Sequence, residues 1–352
     1  MTPQAARWQF WRLSRSRGNT TRYAPICYAS AFATLLAGSV IAAGASSHAA
    51  AHTDNVRAVA FSPNGEWTAS ASRDGYVKVW RLNDGSLAWK RKGHRAGVES
   101  VAFDPMGGRL ASTGRGAVVR VWAVLDGSEV LSMTNRAGGA FNSVAYSPKG
   151  DLIVAGSDNN SILVWRSADG ELLKRLRFHL KDVTSIAISP DGDWLASGSA
   201  DGRVVLSETK SWTVERSVVA HSKRATSVAF SPDGQYLASA GLDGMIKLWR
   251  IPTLSPARAI RSGSRMVYAI AYSPDSNTLA AGCFDDRMRV FAAPHGAYQF
   301  AIMGHHNLVT ALAFSPDGRR LASGSHDKSV KVWQMPDGIL DRTFDDKTSR
   351  LR

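Results

Sequence analysis

Short apolar runs separated by polar, glycine-rich turns recur along the chain from about residue 52. Each unit carries four such runs, which predicts four short β-strands per unit. In the last unit we expect strands at 308–314, 320–324, 330–334 and 339–344. The first run of every unit is largely apolar, which is typical of a strand covered on both faces. We therefore expect the first strand of each unit to line the inner wall of the fold.

A Ser-Pro corner follows the first run of each unit and reveals the length of the repeat. The corners lie 42 or 43 residues apart. Proline in the second position and glycine in the fourth favour a tight turn with positive φ, a pattern from which Asp104 and Ser276 depart. The corners begin at Ser62, Asp104, Ser147, Ser189, Ser231, Ser273 and Ser315. A period of this length with four strands per unit indicates a repeat architecture of seven units.

Three units carry His, Ser, Asp and Trp at the same offsets. A His, a Ser and an Asp suggest a hydrolytic triad, but a protein has little use for three copies of one. The repetition therefore favours a structural role, and we expect no catalytic residues among them. The three sets are His52, Ser70, Asp74 and Trp80; His221, Ser239, Asp243 and Trp249; and His305, Ser323, Asp327 and Trp333.

The repeat length, the Ser-Pro corner and these four recurring residues resemble WD40 repeats over residues 52–344. The resemblance implies an all-β, seven-bladed β-propeller with four antiparallel strands per blade. It also implies that each His, Ser, Asp and Trp set forms a hydrogen-bond network that fixes the blade, because buried polar groups need partners. Family members mostly serve as rigid platforms for other proteins, so the implied function is a non-catalytic scaffold for protein–protein interactions.

The propeller is expected to occupy residues 51–345, with a short tail at 346–352. Its repeats should begin near residues 52, 94, 137, 179, 221, 263 and 305. The last unit supplies its own fourth strand, and no strand-like run precedes His52. We therefore predict that blade 7 packs against blade 1 without an N-terminal strand to close the ring, unlike the common family arrangement.

The other four units keep only parts of the His, Ser, Asp and Trp set. Gly116 stands in the Asp position of blade 2, and Ser207 stands in the Trp position of blade 4. Blades 3 and 6 keep the fewest of the four residues, so we expect them to be the softest. A His221→Ala change should leave Asp243 unpaired, whereas Gly263→Ala in blade 6 should do little.

Residues 1–50 form a separate basic and hydrophobic segment. Five arginines are spread over residues 7–22. They are followed by residues 24–45, which contain no charged side chain. This order predicts an export signal ahead of a periplasmic or extracellular protein. A retained membrane anchor is one alternative, in which case residues 24–45 would be the sole membrane contact. An organelle transit peptide and a mis-assigned start of the protein are the others. Cys27 and Cys283 fall on opposite sides of the expected processing point, so no disulfide framework is predicted.

The family resemblance also suggests where a partner would bind. In WD40 propellers the loops before the first strand and between the second and third strands open onto one face, and side chains at fixed offsets point outward there. Arg, Met and aromatic side chains are enriched in protein interfaces. We therefore predict a peptide or loop with hydrophobic and acidic residues as the partner, although some of these side chains could instead plug the channel mouth. The predicted residues are Arg57, Arg73, Arg115, Leu242, Met266, Tyr268, Phe284 and Leu308.

The basic charge raises nucleic acid as a second class of partner. The chain has a net charge of +14, of which the first fifty residues contribute five positive charges and no negative one. The remaining charge is scattered, and its densest run at residues 90–95 falls on an outer strand, which favours a protein partner instead.

A propeller enzyme or small-ligand binder at the channel mouth is the other alternative. Such a site would need inward Asp, Glu or His side chains, which we do not expect the first strands to supply. The sequence shows no glycine-rich phosphate loop and no metal-spaced His or Cys cluster, so no cofactor and no metal ion are predicted.

Overall fold

The short apolar runs form β-strands, and the regularly spaced turns group these strands into a ring of small sheets. The computed structural model describes residues 51–344, which form seven four-stranded antiparallel sheets in which strand order follows the chain. Blade 1 contains β1 (Val56–Phe61), β2 (Trp67–Ser72), β3 (Tyr76–Arg81) and β4 (Leu87–Lys92). Blade 2 contains β5 (Val98–Phe103), β6 (Arg109–Gly114), β7 (Val118–Ala123) and β8 (Glu129–Thr134). Blade 3 contains β9 (Phe141–Tyr146), β10 (Leu152–Ser157), β11 (Ile162–Arg166) and β12 (Leu172–Leu176).

The remaining four blades repeat this arrangement. Blade 4 contains β13 (Val183–Ile188), β14 (Trp194–Ser199), β15 (Arg203–Glu208) and β16 (Val214–Val219). Blade 5 contains β17 (Ala225–Phe230), β18 (Tyr236–Gly241), β19 (Met245–Arg250) and β20 (Ser255–Arg261). Blade 6 contains β21 (Val267–Tyr272), β22 (Thr278–Cys283), β23 (Met288–Ala292) and β24 (Ala297–Ile302). Blade 7 contains β25 (Val309–Phe314), β26 (Arg320–Ser325), β27 (Val330–Gln334) and β28 (Ile339–Thr343), and the predicted seven-bladed all-β fold is confirmed.

The first strands of neighbouring blades pack against one another and form the inner wall of the ring. They are only half-buried, however, because one side of each strand borders the central channel; in β1 the residues alternate between one buried and two partly exposed positions. The second strands are the most deeply buried, as five consecutive residues of β2 show. The expectation that the first strands are covered on both faces was therefore wrong, and the second strand is the covered one.

Strand register places the recurring serine at the centre of each blade. In blade 1, Ser70 lies opposite Val59 of β1 and opposite Lys78 of β3. Ser70 therefore lies between the first and third strands of its sheet, and its side chain is fully buried. This position lets one hydroxyl contact residues from both the third strand and the loop before the first strand.

The Ser-Pro corner is held by its own side chains. The Ser315 hydroxyl donates to the carboxylate of Asp317 at 2.5 Å and accepts the backbone N–H of Arg320 at 2.9 Å. In blade 2, Asp104 replaces the serine and accepts the N–H of Arg109 at 2.6 Å. Ser276 takes the glycine position with a φ of 61°, so the turn keeps its shape despite this departure.

Blades 7 and 1 meet through side chains and a few hydrogen bonds. Phe344 stacks on Trp80, with ring centroids 5.1 Å apart. The Thr310 hydroxyl donates to the carbonyl of Val56 at 2.6 Å, and the His52 N–H donates to the carbonyl of Lys328 at 3.1 Å. Within residues 51–344, the sheet of blade 7 consists of β25 to β28 and receives no strand from elsewhere.

The predictions for residues 1–50 and for the tail at 346–352 lie outside the described residues. In the part of the chain that the structure does describe, no helix has the length and apolar character needed to cross a membrane.

Candidate partner-binding face

The four recurring residues of blade 1 form one connected chain of hydrogen bonds. Trp80 Nε1 donates to Ser70 Oγ at 3.0 Å, Ser70 Oγ lies 2.8 Å from His52 Nε2, and His52 Nδ1 lies 2.9 Å from Asp74 Oδ2. Asp74 is ionised and can only accept, so His52 carries a proton on Nδ1 and donates it to the aspartate. In the neutral histidine Nε2 then accepts the Ser70 hydroxyl hydrogen, while the serine oxygen accepts from the Trp80 indole.

Blades 5 and 7 repeat this geometry closely. In blade 5, His221 lies 3.0 Å from Ser239 and 3.0 Å from Asp243, and Trp249 lies 3.0 Å from Ser239. In blade 7, His305 lies 2.7 Å from Ser323 and 2.8 Å from Asp327, and Trp333 lies 2.8 Å from Ser323. The networks join the second and third strands to the loop before the first strand. The histidine, serine and aspartate side chains are therefore hydrogen-bonded to one another.

Burial and pairing fix the charges of these networks. Burial alone would raise the pKa of Asp74, but the hydrogen bond from His52 and its charge outweigh burial and lower the pKa to about 2. Burial lowers the pKa of His221 below its ordinary value, although Asp243 opposes this shift. Near neutral pH the networks of blades 5 and 7 are therefore expected to hold a neutral histidine and an ionised aspartate.

Blade 4 keeps a looser version of the network. His179 Nε2 lies 2.8 Å from Ser197 Oγ, but His179 Nδ1 lies 3.5 Å from Asp201 Oδ2, which is long for a hydrogen bond. Ser207, in the tryptophan position, donates to the carbonyl of Leu195 at 3.3 Å.

Blade 6 replaces the missing histidine with an arginine from the third strand. Arg289 donates from Nη1 and Nη2 to Asp285, at 2.8 and 2.5 Å, and Nη2 also lies 3.5 Å from the carbonyl of Gly263. Asp285 is therefore paired, and the reason given for a soft blade 6 does not hold. The sequence signal was a basic residue two positions before Phe291, where Lys78 stands in blade 1.

Blade 3 uses asparagines in the same region. Asn159, in the aspartate position, donates to the carbonyl of Gly138 at 2.7 Å and accepts from Ser161. Asn135 accepts the N–H of Ala137 at 3.2 Å. An asparagine network thus stands where the histidine network is missing, so blade 3 is also better connected than the sequence indicated.

A cavity of about 620 Å³ opens at the mouth of the central channel. It includes five of the eight predicted partner-binding residues, and Met266, Phe284 and Leu308 lie outside its lining. The lining residues are Arg57, Arg73, Glu99, Arg115, Ala140, Asn142, Asp158, Asp182, Thr184, Arg224, Thr226, Leu242, Tyr268 and Thr310.

Three arginines converge on one buried glutamate at this mouth. Glu99 accepts from Arg57 Nε at 2.7 Å and from Arg115 Nε at 3.1 Å, and Arg73 Nε lies 3.9 Å away. The Glu99 side chain is 6% exposed, whereas that of Arg115 is 51% exposed. Burial would raise the pKa of Glu99, but the charge of Arg57 and the hydrogen bonds from Arg57 and Arg115 hold it below its ordinary value.

Glu99 corrects one expectation from the sequence. It belongs to β5, the first strand of blade 2, and it faces the channel mouth, where we expected no acidic side chain from a first strand. Asp158 and Asp182 lie in the same lining, and Asp182 is 3.6 Å from Arg224. Among residues 51–344, no group of three or more His, Cys, Asp or Glu side chains is arranged to hold a metal ion.

One register position in the first strands decides which side chains reach the cavity. In blades 4, 5 and 7 it holds a threonine whose hydroxyl donates to the first strand of the next blade. These bonds run from Thr184 to Ala225 O at 2.6 Å, from Thr226 to Val267 O at 2.8 Å and from Thr310 to Val56 O at 2.6 Å. Asn142 of blade 3 does the same to Val183 O at 3.0 Å.

Blades 1, 2 and 6 place Arg57, Glu99 and Tyr268 at this position instead. Arg57 and Glu99 pair with each other, and the Tyr268 hydroxyl lies 3.4 Å from the sulfur of Met266. Tyr268 is therefore the aromatic side chain that this register presents to the cavity.

The predicted apolar residues divide into two groups. Leu242 and Tyr268 line the cavity, and Met266 contacts Tyr268 from the adjoining loop. Phe284 is 39% exposed and Leu308 is partly buried, but both lie beyond the cavity lining. The apolar part of the mouth is thus narrower than the sequence predicted.

Seven sheets around a channel, each held by an internal polar network, define a β-propeller of the kind that presents loops on a rigid ring. The family described as WD domain, G-beta repeat, matches residues 46–81, 85–123, 128–166, 170–206, 212–250, 257–291 and 296–334. The chain belongs to the WD40 family, as the sequence indicated. Proteins of this family generally act as non-catalytic platforms for protein interactions.

Proposed function

We propose that the protein is a non-catalytic scaffold that captures a peptide or loop with acidic and hydrophobic residues at the channel mouth. The observation that carries this proposal is the convergence of Arg57, Arg73 and Arg115 on a single carboxylate, that of Glu99. One negative charge cannot neutralise three positive ones, so this side of the mouth keeps an excess of positive charge. An acidic side chain of a partner would find that excess at a site partly shielded from water.

The exposed fractions of the arginines indicate which of them can reach a partner. The Arg115 side chain is 51% exposed, whereas that of Arg57 is 27% exposed and held by a short ion pair. Arg115 is therefore the leading contact for an acidic residue, and Arg57 orients Glu99 beneath it.

Leu242 and Tyr268 supply the apolar contacts in the same cavity. Tyr268 is partly buried, and burial raises the pKa of its hydroxyl, so the ring presents a neutral, amphipathic surface. A volume of about 620 Å³ suits a few side chains of a peptide. Aromatic side chains in such settings commonly contribute much of the binding energy at protein interfaces.

The paired state of Glu99 argues against the enzymatic alternative. A general acid must be protonated near neutral pH, but the arginines keep the pKa of Glu99 below its ordinary value. A general base must be free to accept a proton, and two arginines already donate to this carboxylate. The mouth is thus better suited to holding a partner than to transferring protons.

Fluorescence anisotropy with labelled peptides of equal length tests the proposal. One set combines Asp and Glu with Leu and Phe, and the other replaces each acid by Lys. We expect the acidic set to bind more tightly, and an Arg115→Glu, Tyr268→Ala double variant to lose most of that affinity while it still unfolds in a single cooperative transition. Arg57→Glu is less suitable, because Arg57 is the less exposed of the two arginines and makes the shorter ion pair with Glu99, at 2.7 Å against 3.1 Å for Arg115.

Arg216→Glu with Tyr298→Ala is the matched control, because both side chains are exposed on outer strands. Equal affinity for the two peptide sets, or full binding by the Arg115 and Tyr268 double variant, would contradict the proposal. A labelled single-stranded DNA of similar charge serves as a competitor. Tighter binding of the DNA than of the acidic peptides at physiological salt would favour the nucleic-acid alternative.

We further propose, from the sequence of residues 1–50, that the protein acts outside the cytoplasm. Edman sequencing of the protein purified from fractionated cells provides the test. A mature N-terminus near residue 50 supports export, an intact N-terminus in the membrane fraction supports the anchor, and an intact N-terminus in the cytoplasmic fraction contradicts both.

A further inference from the structure

Blade 2 keeps three of the four network residues and lacks the carboxylate. Trp122 Nε1 donates to Ser112 Oγ at 2.8 Å, and Ser112 Oγ lies 3.0 Å from His94 Nε2. If Ser112 donates to His94 Nε2, as Ser70 does to His52, then His94 Nδ1 is the nitrogen that carries the proton. Gly116 occupies the aspartate position, and within residues 51–344 His94 Nδ1 has no hydrogen-bond partner. The His94 residue is 3% exposed, and it lies in the lining of an open cavity.

A second donor lies beside the same position. Arg120 stands two residues before Trp122, in the register that Arg289 occupies in blade 6, where it binds the carboxylate of Asp285. Arg120 Nη1 donates to Glu129, but its Nε is buried and has no hydrogen-bond partner in the described chain. A buried N–H without an acceptor is unfavourable by about 1–3 kcal/mol. The arginine therefore has one nitrogen engaged and one still available to an acceptor.

In the blades that keep the aspartate, two backbone N–H groups donate to its carboxylate. In blade 1, Asp74 accepts the N–H groups of Thr53 at 3.0 Å and Tyr76 at 2.9 Å, in addition to the His52 proton. Blades 4, 5 and 7 show the same pair of backbone donors to Asp201, Asp243 and Asp327. The equivalent residues in blade 2 are Arg95 and Val118.

The space that a carboxylate would need is open in blade 2. A cavity of about 630 Å³ is lined by Lys92, Gly93, His94, Arg95, Gly116, Val118 and Arg120. In this described lining three side chains are cationic and none is acidic. A Cβ built on Gly116 would meet no described atom within 4 Å. The basic run at residues 90–95, which the sequence placed on an outer edge, thus contributes two cations to this cavity.

We propose that this cavity binds a carboxylate supplied by another molecule, which takes the position that aspartate occupies in blades 1, 4, 5 and 7. His94 Nδ1 and the guanidinium of Arg120 donate to its oxygens, and Lys92 and Arg95 add favourable charge around the cavity. The source is either a free small carboxylate or the acidic side chain of a protein partner. The site is separate from the channel mouth, since in the described chain the two cavities share no lining residue.

The charges around His94 provide a readout. Burial and the positive charge of Arg120 lower the pKa of His94 to about 4. Lys92 and Arg95 face the same cavity and act in the same direction, and Glu129, bound to Arg120, acts in the opposite direction. A carboxylate bound at Nδ1 stabilises the protonated imidazole, so occupancy must raise the pKa of His94.

Sodium formate and sodium acetate, titrated into the full-length protein, are the probes. We expect a saturable change in the imidazole NMR signals of His94 and an upward shift of its pKa, with sodium chloride at equal ionic strength as the reference. Gly116→Ala keeps the response, because it adds no acceptor. Gly116→Asp abolishes the response, since its own side chain fills the site, and raises Tm by about 2 °C.

Three results would overturn the proposal: no saturable change with formate, an undiminished response in Gly116→Asp, or a response to sodium sulfate as strong as that to formate. The Arg115→Glu, Tyr268→Ala variant must keep the full formate response, so failure of the channel-mouth hypothesis and failure of this one are distinguishable. Amidated peptides with a central Asp or Asn separate the two sources. Tighter binding of the Asp peptide than of acetate identifies a partner side chain, and equal binding identifies a small carboxylate.

Discussion

Arg289 donates from both terminal nitrogens to the carboxylate of Asp285, at the place where a histidine donates to an aspartate in blades 1, 5 and 7. The guanidinium comes from the third strand, whereas the histidine comes from the loop before the first strand. The same carboxylate position is thus satisfied from two different directions. In each of these four blades the carboxylate receives a hydrogen bond from a side chain. The donor is a histidine in blades 1, 5 and 7 and an arginine in blade 6.

Replacing Arg289 by Ala should therefore destabilise the protein. We expect a loss of about 1 kcal/mol in the free energy of unfolding, because Asp285 is partly exposed and regains water. Urea unfolding of Arg289→Ala, Asp285→Ala and the double variant measures the coupling between the two residues. Arg287→Ala, an exposed neighbour, is the control; a coupling energy of zero would contradict the assigned pair.

Replacing His221 by Ala removes a donor that is more deeply buried. Asp243 loses its 3.0 Å contact, and Ser239 loses its acceptor, so we expect a loss of about 1–3 kcal/mol in the free energy of unfolding. His295→Ala, at an exposed histidine, should leave the thermal melt unchanged. Equal effects of the two substitutions would be incompatible with the network.

Gly263→Ala should destabilise the protein, contrary to the expectation from the sequence. Gly263 has a φ of 77°, a conformation that costs an alanine about 1 kcal/mol or more. A Cβ there would also lie 3.5 Å from Arg289 Nε. Thermal unfolding compared with Gly65→Ala, at a φ of 71° with no described atom within 4 Å of the added Cβ, separates backbone strain from crowding. An unchanged melt in Gly263→Ala would contradict this assignment.

Acid should destabilise the protein between about pH 6.5 and pH 4, partly through His94. The pKa of His94 is about 4 in the folded protein, below the 6.5 of an unperturbed histidine, so the fold favours the neutral form. That contribution is complete above pH 6.5 and is lost as the pH falls toward 4, and it amounts to at most about 3 kcal/mol.

Urea unfolding at pH 7.5 and pH 4.5 checks this prediction, in buffers that contain no carboxylate. His94→Gln should lose less stability between these two pH values than the wild-type protein, because glutamine does not titrate. Identical pH dependence in the two proteins would show that His94 does not carry this effect.

Replacing Glu99 by Gln should separate stability from binding at the channel mouth. The three arginines lose their common counter-charge, so we expect a loss of about 1–2 kcal/mol in the free energy of unfolding. Affinity for acidic peptides should rise, by about threefold at low ionic strength, because the mouth becomes more positive. Glu215→Gln on the outer strand of blade 4 is the control for a general charge effect, and weaker binding of acidic peptides by Glu99→Gln would contradict the proposed role of the arginines.

Much of the fold follows from the sequence because the repeat is strict. The spacing of the Ser-Pro corners and the short apolar runs locate the strands, and the predicted second and third strands of the last unit nearly coincide with β26 and β27. The recurring offsets also identified the histidine networks of blades 1, 5 and 7. These features are local, so one unit is enough to reveal them.

The features that the sequence did not reveal depend on contacts between units. Glu99 comes from blade 2, whereas two of its three arginines come from blade 1, so no single repeat shows the cluster. Likewise, the second residue of each first strand either bonds to the next blade or faces the cavity, and a single repeat does not show which. Thr226, for example, donates to the carbonyl of Val267 in the next blade. The sequence did not reveal that Arg289 replaces the histidine, because the arginine lies in the third strand and the histidine lies before the first strand. The two residues therefore do not align in the repeat.

Every blade is a contiguous stretch of chain, and blades 7 and 1 meet through the Trp80 and Phe344 rings and a few hydrogen bonds. At the other six boundaries a peptide linker tethers one blade to the next, whereas within residues 51–344 blades 7 and 1 are joined by neither a linker nor a shared strand. A mechanical load or thermal fluctuation that opens the ring should therefore part it first at this seam. Because each described sheet consists of four consecutive strands, a whole blade can be inserted or deleted as one continuous segment.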